Sequence, residues 1–140
     1  NFKNVTVEAS RLEDIISGSG ISKIYETLTH KKLSAEEIFE KFLDNEPDAL
    51  FVINGFIKSL SQTLSDLTLS FLPGKGILLA GSLSRSIYTH FNEQNFFKPF
   101  INNNTGMHFD ILKNTPIGVI TKERTPLYGN LAFYKNLNKI

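Results

Sequence analysis

Cysteine is absent from this 140-residue sequence. Disulfide bridges and thiolate-bound metals are therefore excluded, and a cytoplasmic setting is the natural expectation. An initiator methionine is missing too. The chain begins Asn1-Phe2-Lys3 with no signal-peptide pattern, and we read this as the mark of a cut fragment in preference to signal removal. Charge of one sign is also scarce. The formal net charge is +1, so no strong field would draw the chain to nucleic acid or to an anionic membrane, and neither is expected as a partner. No apolar run is long enough to span a bilayer, because the longest apolar-rich stretch, Leu50 to Leu72, is broken by Asn54, Lys58, Gln62 and Asp66.

What is present suits a globular domain. Hydrophobic residues make up 41% of the chain and charged residues 21%, and twelve Phe with four Tyr supply bulky core material. No repeat, low-complexity tract or linker divides the sequence, so residues 1–140 read as one domain without an internal boundary.

Local signals order the elements. Asn4 to Glu8 alternates around Val5 and Val7 and reads as a short strand. Arg11 to Ser17 forms a helical turn, and Ser19-Gly20 starts a helix through Ile21, Ile24, Tyr25 and Leu28, closed by His30-Lys31-Lys32. Ser34-Ala35-Glu36-Glu37 has capping-box form and opens a helix expected to bury Ile38, Phe39 and Phe42. Pro47 suits the first position of a long helix whose stripe runs Ile53, Ile57, Leu60, Leu64, Leu67, Phe71, stopped by Pro73-Gly74. Gly76 to Gly81 reads as a strand buried on both faces. Ser82 to Phe91 is a helix with Ile87 and Phe91 inward, Asn92 to Phe100 is Phe-rich and helical, and Asn102 to Gly106 is a loop. Ile117 to Thr121 is a second strand. Thr125-Pro126 starts a last helix through Leu127, Leu131 and Tyr134. Strands alternating with helices predict an α/β architecture dominated by helix.

Three segments, in order and spacing, resemble bacterial glucokinases. Leu12-Glu13-Asp14-Ile15-Ile16-Ser17-Gly18-Ser19-Gly20-Ile21, followed by Ile24-Tyr25, is similar to the family's Glu-x-x-x-Ser-Gly-x-Gly-Leu segment. Gly76-Ile77-Leu78-Leu79-Ala80-Gly81-Ser82-Leu83 is similar to its strand ending in Ala-Gly-Gly-Ile, with Ser82 in place of the second glycine. Thr125-Pro126-Leu127-Tyr128-Gly129-Asn130-Leu131-Ala132 is similar to its Asn-Pro-Gly-Leu-Leu-Gly-x-Ala stretch, with Leu127 where the family has glycine.

The resemblance implies the helix-rich, carboxyl-terminal part of an actin-like (ribonuclease H-like) sugar kinase lobe. It implies ATP and magnesium as cofactors, glucose as substrate, phosphoryl transfer to its 6-hydroxyl, and a homodimer. The family's catalytic Asp, its main phosphate-binding segments and its Glu-x-x-His sugar motif have no counterpart here, so no catalytic residue and no metal ligand is expected in this chain. Two further readings stay open: a kinase for another hexose, and a non-catalytic sugar-sensing or regulatory protein of the same fold. A third is a self-contained helical interaction domain, which the lack of an actin-like sheet edge would favour.

Each candidate residue carries two readings. Glu13 matches a family sugar ligand, and a carboxylate is a strong acceptor for sugar hydroxyls; read alone, Glu13 and Asp14 are acids beside a helix start. Gly81 and Ser82 follow a strand where nucleotides bind in open α/β sheets, or form a plain turn with Ser82 as cap. Tyr128 and Gly129 resemble the other wall of an adenosine pocket, or an ordinary helix start. Gly18-Ser19-Gly20 lacks the rest of any phosphate-loop motif and reads as a tight turn. His30, His90 and His108 share no metal-ligand spacing.

Overall fold

The computed structural model describes Phe2, residues 9–102 and residues 104–137. The strand expected over Asn4 to Glu8 lies outside the described residues. Among those described, the helices are α1 (Gly18–Thr29), α2 (Ala35–Leu43), α3 (Pro47–Phe71), α4 (Ser82–Ile87), α5 (Lys98–Ile101), α6 (Gly106–Asn114) and α7 (Thr125–Leu137). A 3-10 turn covers Leu12–Asp14, a second covers Tyr88–His90, and a π turn covers Glu93–Phe97. Strands β1 (Ile77–Leu79) and β2 (Ile117–Val119) pair in parallel, Ile77 opposite Ile117 and Leu79 opposite Val119.

Local chemistry explains several boundaries. Ser34 Oγ accepts from the Glu37 N–H at 3.2 Å, and the Glu37 carboxylate accepts from the Ser34 N–H at 2.8 Å. This reciprocal capping starts α2 and holds the Glu37 carboxyl below its usual range. Pro47 occupies the start of α3, where Glu46 accepts from the Ala49 N–H at 2.6 Å. Gly76 has φ +92, and a Cβ there would run into the Pro116 backbone, so only glycine lets β1 leave its turn beside β2.

The core gathers on α3. Ala49, Val52, Ile53, Phe56 and Ile57 are buried with Ile21, Ile24 and Tyr25 of α1 and Ile38 and Phe42 of α2. Burial pushes the Tyr25 phenol up, helped by the carboxylates of Glu46 and Asp48. The other partners of α3 are the π turn, α5 and α6, with Phe96 stacked on Phe91 at 4.1 Å between ring centres.

Several expectations are corrected. The buried face of α3 does not run out through Leu67 and Phe71, which are exposed, Phe71 at 77%. It continues through Ser61, Ser65 and Thr68. Small hydroxyl side chains let neighbouring backbone come close, and Ser61 Oγ donates to the Phe96 carbonyl at 2.5 Å. Phe39 is half-buried. The β1 strand is covered on one face only: Leu78 is 72% exposed, lying over Gly118. Helix α6 was not anticipated; Leu112 is its buried residue, too little for a periodic signal. The last helix forms as expected, as α7, with Leu127, Leu131 and Tyr134 exposed. No described helix is long and apolar enough to cross a membrane.

Candidate functional site

Glu13 sits in the 3-10 turn ahead of α1. Its neighbour Asp14 is engaged locally: Oδ2 accepts from the Arg11 N–H at 2.9 Å, the Ser10 N–H at 3.1 Å and Ser10 Oγ at 3.3 Å, and Oδ1 lies 3.6 Å from the Arg11 guanidinium. The Arg11 backbone hydrogen bond, with support from Ser10, holds the Asp14 carboxyl below its usual range. Glu13 has no such structural duty. Its side chain is 66% exposed and, among the described residues, pairs with the Arg11 guanidinium alone, at 2.8 Å. An exposed pair of this kind contributes on the order of 0–1 kcal/mol, so the carboxylate remains available to a ligand. Arg11, Leu12, Glu13 and Ile16 line an open depression of about 450 Å³.

The Gly18-Ser19-Gly20 turn positions Glu13. Ser17 Oγ donates to the Glu13 carbonyl at 2.5 Å and accepts from the Gly20 N–H at 3.0 Å. A Cβ on Gly20 would lie 2.7 Å from the Asp14 carbonyl oxygen. The glycine therefore allows α1 to press against the turn. A tight packing turn accounts for this segment.

Gly81 caps α4 with φ +121, and a Cβ there would meet nothing within 4 Å. Its backbone thus faces open space at the carboxyl end of β1. The cap position belongs to Gly81 rather than Ser82. Ser82 instead lines a more enclosed cavity of about 330 Å³ between α4, α2 and the start of α1, together with Gly18, Phe39, Leu83, Glu36 and Glu40. Two carboxylates beside an aromatic ring suit a donor-rich, partly apolar group better than a phosphate.

Tyr128 and Gly129 lie on the exposed α7. Lys122 Nζ stands 4.0 Å from the Tyr128 ring centre, an exposed cation–π contact worth about 0.5–1 kcal/mol. A Cβ on Gly129 would meet nothing within 4 Å. The structure thus brings Ser82 to the start of α1, one turn beyond Glu13. The depression at Glu13 and the cavity at Ser82 share no lining residue, and Tyr128 and Gly129 line neither.

His90 is edge-on to Phe42 and Phe39, at 5.0 and 5.6 Å between ring centres. Among the described residues no three His, Cys, Asp or Glu side chains are grouped to hold a metal ion.

The sequence model of the family described as Glucokinase matches residues 3–137. The chain belongs to the glucokinase family. It is 25% identical over 131 residues to a protein named Glucokinase from Mesorhizobium japonicum, covering 89% of this chain and 38% of that relative. It is 28% identical over 135 residues to one so named from Saccharophagus degradans, covering 89% of this chain and 40% of the relative. The chain thus spans about two fifths of the length of these curated relatives. The three motifs that resemble the carboxyl-terminal part of glucokinases all fall inside the matched range, and that resemblance holds.

Within the glucokinase segment, sequence reasoning missed Arg11, which partners Glu13, and Glu36 and Glu40, which face the Ser82 cavity. Arg11 stands two positions before Glu13, a spacing that signals no contact on the helical turn read there. Glu36 and Glu40 are four apart on α2 and so share a face, but which element that face meets is a matter of tertiary packing.

Proposed function

We propose that this chain is the carboxyl-terminal lobe segment of an ATP-dependent glucokinase that transfers the γ-phosphoryl group of ATP to the 6-hydroxyl of glucose. Residues 1–140 form one unit of an actin-like sugar kinase fold, without an internal boundary, in a cytoplasmic homodimer. Glu13 supplies one sugar contact. Gly81, Ser82, Tyr128 and Gly129 form the adenosine side of the nucleotide site.

The observation that carries this reading is the division of labour between Glu13 and Asp14. Asp14 is consumed by local hydrogen bonds, whereas the matched Glu13 keeps its carboxylate at an open depression. Adenosine also fits: Gly81 presents bare backbone, and the Ser82 cavity, at about 330 Å³, is in the range of small-ligand sites. Magnesium has no cluster of ligands among the described residues. In this reading it is held chiefly by nucleotide phosphates and water, as this ion commonly is. Phosphoryl transfer needs a base at the attacking hydroxyl and several groups acting together. The segment by itself is therefore inactive.

The test is made in the intact parent enzyme. Glu13→Gln replaces a charged acceptor with a neutral one and raises KM for glucose while KM for ATP stays near its starting value. Ser82→Leu fills the cavity between α4 and α2 and raises KM for ATP while KM for glucose holds. Substituting Gly81 would be less informative, because φ +121 strains any side chain there. Unchanged glucose kinetics in Glu13→Gln would remove that residue from the site.

A further inference from the structure

A separate opening lies where α3 passes the π turn. It measures about 640 Å³, inside the range of small-ligand sites. Its floor is apolar, from Leu50 and Phe51, and its rim carries Asn54, Asn92, Gln94 and Lys58. Among the described residues no carboxylate lines it.

The hydrogen bonds leave that rim unbalanced. Asn92 Oδ1 already accepts from the Gln94 and Asn95 N–H groups at 2.9 and 3.0 Å. Its amide NH2 has no partner among the described residues. Asn54 Oδ1 accepts from Asn95 Nδ2 at 3.0 Å, while Asn54 Nδ2 uses one proton on the Leu50 carbonyl at 2.9 Å. The Gln94 amide and the Lys58 ammonium have no partner among the described residues. What the rim has left to offer is mostly N–H donors and one positive charge.

The rim is also held in place. Asn95 is buried and its side-chain Nδ2 donates to both Asn54 and the His90 carbonyl, while its Oδ1 accepts from the Asn92 N–H at 2.9 Å. These bonds fix the π turn that carries Asn92 and Gln94. Such turns are rare and recur at functional sites.

We propose that this groove binds a small amphipathic anion, a carboxylate or phosphate ester joined to a flat apolar body. The anion meets Lys58 and the Asn92 and Gln94 amides, where a charged acceptor makes the stronger bonds. The apolar body lies on Leu50 and Phe51. A cation would find no counter-charge among the described residues of the groove, and a neutral polyol would leave the ammonium unused.

The test is a titration of the isotope-labelled full chain with phenyl phosphate, benzoate and neutral benzyl alcohol, read by NMR at the side-chain amides of Asn54, Asn92 and Gln94. The expected result is a saturable shift of the Asn92 and Gln94 amide signals with at least one anion, and none with benzyl alcohol. Comparing the two anions shows which kind of headgroup the rim prefers. Lys58→Gln should weaken that binding about tenfold, roughly 1.4 kcal/mol. Lys58 is exposed, so an unchanged backbone spectrum can confirm that the variant keeps its fold. The proposal is overturned if neither anion moves these amides, if Lys58→Gln binds the anions as well as the parent, or if benzyl alcohol saturates the same signals equally.

Discussion

The two halves of α3 bury their faces by different chemistry. From Ala49 to Ile57 the inward positions are Ala49, Val52, Ile53, Phe56 and Ile57, and they meet other side chains in the core. From Ser61 to Thr68 the inward positions are Ser61, Leu64, Ser65 and Thr68. There the hydroxyls are spent on backbone: Ser61 on the Phe96 carbonyl and Thr68 on the Leu64 carbonyl at 2.6 Å. The first half gains its stability from apolar area removed from water. The second gains closeness, and each hydroxyl it buries must find an acceptor. Ser65 is the exception, with a buried Oγ that has no partner among the described residues.

This contrast can be broken by substitution, beginning with the largest effect. Ile53→Ala removes a fully buried side chain at the centre of the apolar half and should cost about 2–5 kcal/mol in chemical denaturation. Ser61→Ala leaves the Phe96 carbonyl without its side-chain donor and should cost about 1–3 kcal/mol by the same measurement. Ser65→Ala removes a group that gains nothing from burial, and it should be neutral or stabilise by up to about 1 kcal/mol. Equal losses from the two serine variants would mean that packing volume alone, and not hydrogen bonding, governs this half.

Acid unfolding sharpens the comparison at a capped helix. The Glu37 carboxyl is held below its ordinary value of 4.5 by the Ser34 N–H. A carboxyl with a depressed folded-state pKa contributes stability that is complete above the unfolded value and is lost as pH falls through the folded one. Glu37→Gln should therefore flatten that part of the stability curve below pH 4.5 and leave neutral-pH cooperativity intact. The smallest effect belongs to Phe71→Ser. Although Phe71 continues the apolar spacing, it is exposed, so stability should stay within roughly 0.5 kcal/mol. A larger loss would mean that Phe71 is covered in solution.

What could be read in advance was what neighbouring residues decide among themselves. The Ser34–Glu37 box, Pro47 at the start of α3 and the glycine-bounded strand at Ile77 need only short spacings to declare themselves. The serine face of α3 did not, because hydroxyls at steps of four and three look like solvent-facing polarity until a carbonyl such as that of Phe96 is placed against them. The π turn depends on the Lys98 N–H reaching back to the Glu93 carbonyl, a register set by the Asn92 and Asn95 side chains. The candidate site divides in the same way. Glu13, Gly81, Ser82, Tyr128 and Gly129 came from motif order. That Asp14 is consumed while Glu13 is spared, and that Ser82 faces α2, depends on contacts that no spacing encodes.

The bracket from the Gly20 N–H to Ser17 Oγ to the Glu13 carbonyl has a mechanical consequence. The close approach of Gly20 to the Asp14 backbone closes the same loop from the other side. The short turn and the first residues of α1 therefore behave as a single stiff lever, and Glu13 sits at its tip. Tilting α1 carries the Glu13 backbone with it, and so moves the anchor of that carboxylate. Gly20→Ala would pry the lever open at its fulcrum and set Glu13 adrift while its own chemistry stayed untouched.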